Sequence, residues 1–156
     1  MSHPFECNHC GNPRNLFSTP CRFCGDTNPP HPHTDYWKIN LEYGSPKAED
    51  ALVILDQSIH ASICVGLKAL VVIHGYGSSG MGGRIRNAVR HELQNNRWAD
   101  CIQEYIYCEQ LHNRDAIKNK IRLSNLLEAS LVSEGILNNF GSTLLLLHRE
   151  RLITTQ

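Results

Sequence analysis

Residues 69–86 have the sequence ALVVIHGYGSSGMGGRIR, the most informative stretch of the chain. A continuous apolar run, 69–73, precedes a histidine, and five glycines follow within residues 75–83. The apolar run predicts a strand buried on both faces, as in a parallel sheet, and the arginine-bearing residues after the glycines predict a helix. Glycines let a backbone approach a ligand closely, and a helix start presents unpaired N–H groups. We therefore expect a strand–loop–helix unit that holds an anion such as a phosphate.

The flanking segments alternate between strand and helix patterns. Residues 37–43 alternate apolar with polar side chains, which predicts a half-buried strand. Ser45 and Pro46 then predict the N-cap and first residue of a helix that Gly66 ends. Further along, the patterns predict a helix containing 85–93, a strand at 102–107, a helix from 115 to 134 and a strand at 143–147. The sequence thus predicts an α/β fold with about four strands and helices packed on the sheet.

Two Cys-x-x-Cys motifs lie near the start of the chain. Cys7 and Cys10 form the first and Cys21 and Cys24 the second, and a glycine follows each motif directly. Such a pair can place four thiolates around one tetrahedral zinc ion, which supplies the folding energy that so short a segment lacks. Disulfides and a redox motif are the alternatives, but no export signal or βαβ context accompanies the cysteines. We expect a structural zinc ion in a zinc ribbon.

Length and composition define the expected domains. The 156 residues suit a zinc ribbon with a proline-rich linker at 1–34, and an α/β domain at 35–150 with an inserted helical segment near 113–137. No apolar run approaches the roughly 20 residues of a membrane span. The first residues lack the basic and apolar regions of a secretory signal. We therefore expect a cytoplasmic protein with no membrane partner.

The charges of the chain balance as a whole but cluster locally. There are 15 Lys and Arg against 15 Asp and Glu, so the chain lacks the overall basic charge that is typical of nucleic-acid binders. Arg84, Arg86 and Arg90, however, lie on the helix that follows the glycines. They predict a local basic face beside the loop, although exposed helical arginines often only solvate a surface.

These motifs together resemble a known family. Residues 74–78, His-Gly-Tyr-Gly-Ser, residues 82–86, Gly-Gly-Arg-Ile-Arg, and the closing apolar segment 140–146 are similar to the Smr (small MutS-related) domain, over residues 37–148. The resemblance implies a two-layer α/β sandwich similar to the C-terminal domain of bacterial translation initiation factor three. Family members bind DNA or RNA, and several are endonucleases that nick DNA or cleave RNA, including messenger RNA on stalled ribosomes.

The resemblance implies a nucleic-acid-binding protein, with RNA or a ribonucleoprotein such as the ribosome as the expected partner and DNA as the alternative. The backbone would be held by the loop and the residues after it: His74, Gly75, Tyr76, Gly77, Ser78, Gly82, Gly83, Arg84, Arg86 and Arg90. In the alternative function, an endonuclease, His74 would be catalytic, with Glu42 or Asp50 as a further acid–base group. Whether a divalent cation takes part is open.

The strand before the first helix departs from the family pattern. Family members typically have Leu-Asp-x-His-Gly there, whereas residues 39–44 have the sequence INLEYG. Asn40 stands at the acidic position, and either Tyr43 or Glu42 at the histidine position. An amide cannot act as a base, and a phenol with a pKa of about 10 is a poor proton carrier at neutral pH. This departure favours binding over cleavage.

Two other interpretations apply to the loop. Residues 75–80 match the dinucleotide fingerprint G-x-G-x-x-G, and Asp100 lies at about the expected distance along the chain. The domain is too short for two mononucleotide-binding halves, however, and Asp100 precedes its strand instead of ending it. His74 can alternatively hydrogen-bond a loop carbonyl and have no contact with a ligand.

Overall fold

The computed structural model describes residues 5–14, 20–28, 31–32, 35–75, 83–108 and 141–148. Several predictions lie outside these residues. They concern Tyr76, Gly77, Ser78 and Gly82, the helix at 115–134 and the inserted segment near 113–137. The predicted division into domains at residue 35 stays a prediction.

The cysteine-rich part contains a small antiparallel sheet. Its strands are β1 (Phe5–Glu6), β2 (Pro13–Arg14) and β3 (His31–Pro32), in the order β2-β1-β3. Both outer strands contain proline, which sheets tolerate at edges because proline lacks the N–H group of a ladder hydrogen bond. β3 belongs to the segment predicted as a linker, so that segment contributes to this sheet.

The α/β part is built on a four-stranded sheet, as predicted. Its strands are β4 (Tyr36–Asn40), β5 (Ala69–Ile73), β6 (Ile102–Tyr107) and β7 (Ser142–Leu147), in the order β4-β5-β7-β6. The helices are α1 (Ala48–Cys64), between β4 and β5, and α2 (Arg84–Gln94), between β5 and β6. β4 and β5 are parallel, which confirms the predicted βαβ unit, while the pairs of β7 with β5 and β6 are antiparallel.

The central strand β5 is buried along its length, as its apolar sequence predicted. Leu70 and Val72 point to the face that carries the main hydrophobic cluster, where they join Leu55 and Ile59 of α1 and Val89 of α2. The sheet is mixed and not parallel throughout. The position of β5 between two neighbouring strands accounts for its burial.

The predicted start of α1 was wrong by two residues. The helix begins at Ala48 after Lys47, whose side chain makes no capping hydrogen bond. Ser45 adopts a positive φ of 49° in the preceding turn, so it is not the N-cap. The helix ends at the predicted glycine: Gly66 has a φ of 79°, and its N–H donates back to the carbonyl of Ile63 at 3.0 Å.

The entry strand β4 is shorter than its alternating pattern predicted. It ends at Asn40, where the side-chain oxygen accepts a hydrogen bond from the N–H of Glu42 at 2.9 Å. This contact starts a turn at residues 41–44, which carries the chain away from the sheet toward α1. Among the described residues, no helix combines the length and apolar character needed to cross a membrane.

Candidate nucleic-acid groove and metal centre

An open groove of about 720 Å³ lies at one edge of the four-stranded sheet. It is bounded by the turn after β4, the start of α1, the end of β5 and the start of α2. The lining residues are Glu42, Ser45, Pro46, Lys47, Ala48, Glu49, His74, Gly83, Arg84 and Ile85. The elements meet here because β4 and β5 are parallel, so both strands deliver their carboxyl ends to the same edge. Ligands commonly bind at such edges in α/β sheets.

Backbone hydrogen bonds fix the floor of the groove. The N–H of Leu41 donates to the carbonyl of Ile73 at 2.8 Å and joins the turn after β4 to the end of β5. The N–H groups of His74 and Gly75 both donate to the carbonyl of Gly141 at 2.9 Å. The first residues of the glycine loop are therefore held against Gly141, the residue directly before β7.

His74 is buried beneath the loop, with 1% of its surface exposed. Its Nδ1 lies 3.0 Å from the carbonyl oxygen of Gly75, and its Nε2 lies 2.8 Å from Oγ1 of Thr143 on β7. A carbonyl can only accept, so Nδ1 carries a proton and donates. In the neutral ring, Nε2 then accepts from the Thr143 hydroxyl. This arrangement matches the alternative in which His74 bonds a loop carbonyl, while its predicted phosphate-binding and catalytic roles stay predictions.

Gly75 stands directly beside the carboxylate of Glu42. Its φ is 79°, and a Cβ added at this position would overlap Glu42 Oε1. Only glycine fits this conformation and this close approach without strain. The Glu42 carboxylate therefore lies against the backbone of the His-Gly loop.

The groove carries charges of both signs. Lys47 and Arg84 are exposed cations on its wall, and the first N–H groups of α2 begin after Gly83, which has a φ of 107°. The first turn of α2 contains no acidic residue, so the positive end of its dipole is not offset locally. Glu42 and Glu49 supply the negative charges.

The structure separates the predicted arginines into two groups. Arg84 lines the groove with His74 and Gly83, whereas Arg86 and Arg90 are not among the lining residues. The guanidinium of Arg90 instead lies over the ring of Tyr107, with its Cζ 4.1 Å from the ring centroid. The predicted basic face on α2 is therefore divided between the groove and the surface near β6.

Two lining residues, Lys47 and Glu49, needed the structure to identify them, and the structure decides the position of a third, Glu42. Lys47 and Glu49 are ordinary charged residues at a helix start, and nothing in their spacing predicted a contact with the loop. Glu42 was one of two candidates for the family's histidine position. The structure favours it over Tyr43, because the Tyr43 side chain is 77% exposed and does not line the groove.

The four predicted metal ligands come together at the other end of the chain. The Sγ atoms of Cys7, Cys10, Cys21 and Cys24 all lie within 4.8 Å of one another. The Cys7–Cys24 distance is 3.5 Å and the Cys10–Cys21 distance is 3.9 Å, and all four cysteines are free thiols. Tetrahedral zinc with Zn–S bonds of about 2.3 Å requires S···S distances of about 3.8 Å. The four thiols are therefore close enough together to bind a metal ion such as zinc.

The cysteine pKa values agree with a metal-binding cluster. Backbone N–H groups of Cys24 and Phe23 lower the pKa of Cys21 to about 6. The N–H of Asp26 lowers the pKa of Cys24, but burial and the neighbouring cysteines outweigh it and raise that pKa to about 12. Four thiols this close cannot all ionise without strong repulsion, and a divalent cation removes that repulsion.

Comparison with known protein families gives a match to part of this chain. The Smr domain model matches residues 45–112, which include α1, β5, the glycine loop, α2 and β6. No curated protein and no solved structure matches the chain. Smr domains are associated with nucleic-acid binding and endonuclease activity. The predicted resemblance is thus confirmed for residues 45–112, whereas β4, β7 and the likeness to initiation factor three lie beyond the match.

Proposed function

We propose that the protein binds nucleic acid by holding the phosphate backbone in the groove beside the His-Gly-x-Gly loop. One observation carries the proposal: Lys47, Arg84 and the N-terminus of α2 converge on one groove in the segment that matches the Smr domain. Backbone N–H groups at a helix start and adjacent cations form the usual arrangement for phosphate oxygens. RNA, including RNA in ribosomes, is the proposed ligand from the resemblance to family members that cleave messenger RNA, and the proposed location is the cytoplasm.

The contact surface is small. The chain has no net charge, so binding depends on the local cations and involves few phosphates. For single strands, each neutralised phosphate contributes a slope of about −0.7 to the dependence of log K on log salt concentration. We therefore expect moderate affinity and a shallow salt dependence.

The affinity of matched charge variants tests this proposal. Arg84→Ala and Lys47→Ala should each weaken binding of a labelled single-stranded RNA, measured by fluorescence anisotropy at low salt. Lys68→Ala is the control, because Lys68 lies at the opposite end of β5, where it pairs with Asp35 at 3.7 Å. Equal losses in all three variants would show that binding depends only on overall charge and would contradict a site in the groove.

A second candidate function, RNA cleavage, is supported by the position of Glu42. Its carboxylate contacts the His-Gly loop in the same groove as Arg84. In cleavage of RNA by its own 2′-hydroxyl, the 2′-oxygen bonds to phosphorus, the P–O5′ bond breaks to leave a 2′,3′-cyclic phosphate, and the leaving 5′-oxygen takes a proton from water. Glu42 can accept the proton of the 2′-hydroxyl, and Arg84 can stabilise the charge that develops on the phosphate. His74 would then hold the loop in place through Gly75 and Thr143. Cleavage abolished in Glu42→Gln, with RNA binding retained, would establish this function in place of binding alone.

We further propose that the four-cysteine cluster binds one structural zinc ion in a zinc ribbon. The sulfur distances and the adjacent small sheet support this assignment. When bound, zinc would supply the folding energy of this segment.

A further inference from the structure

A second groove, of about 660 Å³, lies between the end of α2 and β6. Its lining includes three aromatic residues, Trp98, Tyr105 and Tyr107. Tyr105 and Tyr107 are half-buried, and their ring centroids lie 5.7 Å apart with the planes inclined by 39°. None of these residues lines the groove at the His-Gly loop.

A β-bulge places the aromatic side chains on this face. The pairing of β6 with β7 shifts between Ile102 and Glu104, so Gln103 is an extra residue in the ladder. Because one extra residue reverses the alternation, Ile102 and Tyr105 both face the helices. Among the described strands, β6 forms one edge of the sheet, so its tyrosines lie at the rim of the hydrophobic cluster.

Arginine side chains accompany the rings. The Arg90 Cζ lies 4.1 Å from the centroid of Tyr107, and the Arg97 Cζ lies 5.1 Å from the ring of Trp98. Such stacked pairs place a positive charge beside a flat π-surface. The groove therefore offers aromatic surface to a planar ligand. Arg90 and Arg97 lie beside the groove without lining it, and Arg97 also pairs with Glu92 at 3.3 Å.

Helix α2 connects the two grooves. Arg86, Arg90 and Gln94 recur at four-residue spacing and so share one face of the helix. At a rise of ~1.5 Å per residue, Gln94 lies about 12 Å along the helix from Arg86, which is near the glycine-loop end of α2. Gln94 reaches the aromatic groove, where its Nε2 donates to the hydroxyl of Tyr107 at 3.4 Å. A single-stranded nucleic acid whose phosphate is held at the start of α2 would pass Arg90 before it reaches Tyr105 and Tyr107.

We propose that the aromatic groove is a stacking subsite for the bases of a single-stranded nucleic acid. This inference rests on the proposed function and names the form of nucleic acid that the protein prefers. Unpaired bases can stack on the rings of Tyr105 and Tyr107, with Arg90 beside the groove against Tyr107, a combination of aromatic and arginine side chains that sequence-tolerant single-strand sites use. In a duplex the bases are already stacked on one another and cannot occupy the subsite.

Ring-removing variants test the subsite. The double variant Tyr105→Leu/Tyr107→Leu removes both rings but keeps apolar bulk against the core, and Tyr105→Phe/Tyr107→Phe keeps both rings. Stacking contributes about 1–3 kcal/mol per base, so the leucine variant should bind single-stranded RNA at least about 5- to 150-fold more weakly, the range for the loss of one stacked base. The phenylalanine variant should bind like the wild type. Affinity for the duplex of the same sequence should be equal in all three proteins.

The salt dependence separates stacking from charge. Because tyrosine is uncharged, the leucine variant should retain the wild-type slope of log K against log salt concentration. Circular dichroism and urea unfolding establish that each variant is folded. If the leucine variant is unfolded, the single variants Tyr105→Leu and Tyr107→Leu provide the same comparison.

The outcomes distinguish this subsite from the proposed function. Wild-type protein that binds neither RNA nor DNA would overturn both. The subsite alone would be overturned if the leucine substitutions leave RNA binding unchanged, or if they weaken the binding of single strands and duplexes equally. The tyrosines would then have only a structural role, at the edge of the hydrophobic cluster.

Discussion

Replacing Thr143 with valine should loosen the support of the His-Gly loop. Valine keeps the shape of threonine but lacks the hydroxyl that donates to Nε2 of His74 at 2.8 Å. Both side chains are buried, so water cannot replace the lost partner, and an unsatisfied buried polar group costs about 1–3 kcal/mol. We expect the free energy of unfolding to fall by that amount in Thr143→Val.

Urea unfolding followed by tryptophan fluorescence measures the change, and Thr143→Ser is the matched control because it restores the hydroxyl. Serine also removes a methyl group, which costs about 1 kcal/mol in a core and complicates the stability comparison. The position of the proton on the His74 ring is therefore measured separately, from the ¹⁵N chemical shifts of the imidazole. These shifts should report a proton on Nδ1 of His74 in the wild type. A Thr143→Val protein as stable as the wild type, or a wild-type proton on Nε2, would refute the hydrogen-bond assignment.

Three further predictions concern the loop and the cysteines. Gly75→Ala should lower the free energy of unfolding by about 1–2 kcal/mol through its positive φ, and adding Glu42→Ala should recover only the part due to the carboxylate clash. Cys21→Ser should abolish stoichiometric zinc in metal analysis while urea unfolding of the α/β part is unchanged; zinc retained in that variant would contradict the four-thiolate site. Zinc binding to metal-free protein at neutral pH should release protons and should tighten as the pH rises, because the pKa of Cys24 is raised to about 12. Titration calorimetry in two buffers with different ionisation enthalpies would detect the released protons. If no protons are released, the site does not bind zinc through thiolates.

The strand β5, the end of α1 and the helix α2 were predictable because their signals are local. The apolar run of β5, the glycine that ends α1 and the helical spacing of Val89 and Leu93 each act within a few residues. The cysteine motifs were equally readable, since a metal site fixes the spacing of its ligands. These elements appear in the structure where the sequence predicted them.

The residues that line the groove and the first residue of α1 could not be predicted from the sequence, because they depend on contacts between distant segments. Ser45 and Pro46 have the residue types of a helix start, but the turn after Asn40 delays α1 until Ala48. The choice of Glu42 over Tyr43 follows from which side chain the same turn directs at Gly75. Local propensity contains no information on that direction.

The bulge in β6 shows the same limit. The alternating sequence of residues 102–107 predicted a regular strand, whereas the register against β7 shifts between Ile102 and Glu104. That shift brings the tyrosines onto the helix side of the sheet, where Arg90 contacts Tyr107. Both the register and the cation–π contact depend on partners far along the chain.

The salt dependence of single-stranded RNA binding tests the central claim most directly. If Lys47 and Arg84 each contact a phosphate in the groove, the slope of log K against log salt concentration should be shallower by about 1.4 in the double variant Lys47→Ala/Arg84→Ala than in the wild type. The Lys68→Ala control should retain the wild-type slope. An unchanged slope in the double variant would show that the phosphates bind elsewhere and would contradict the groove beside the His-Gly loop as the nucleic-acid site.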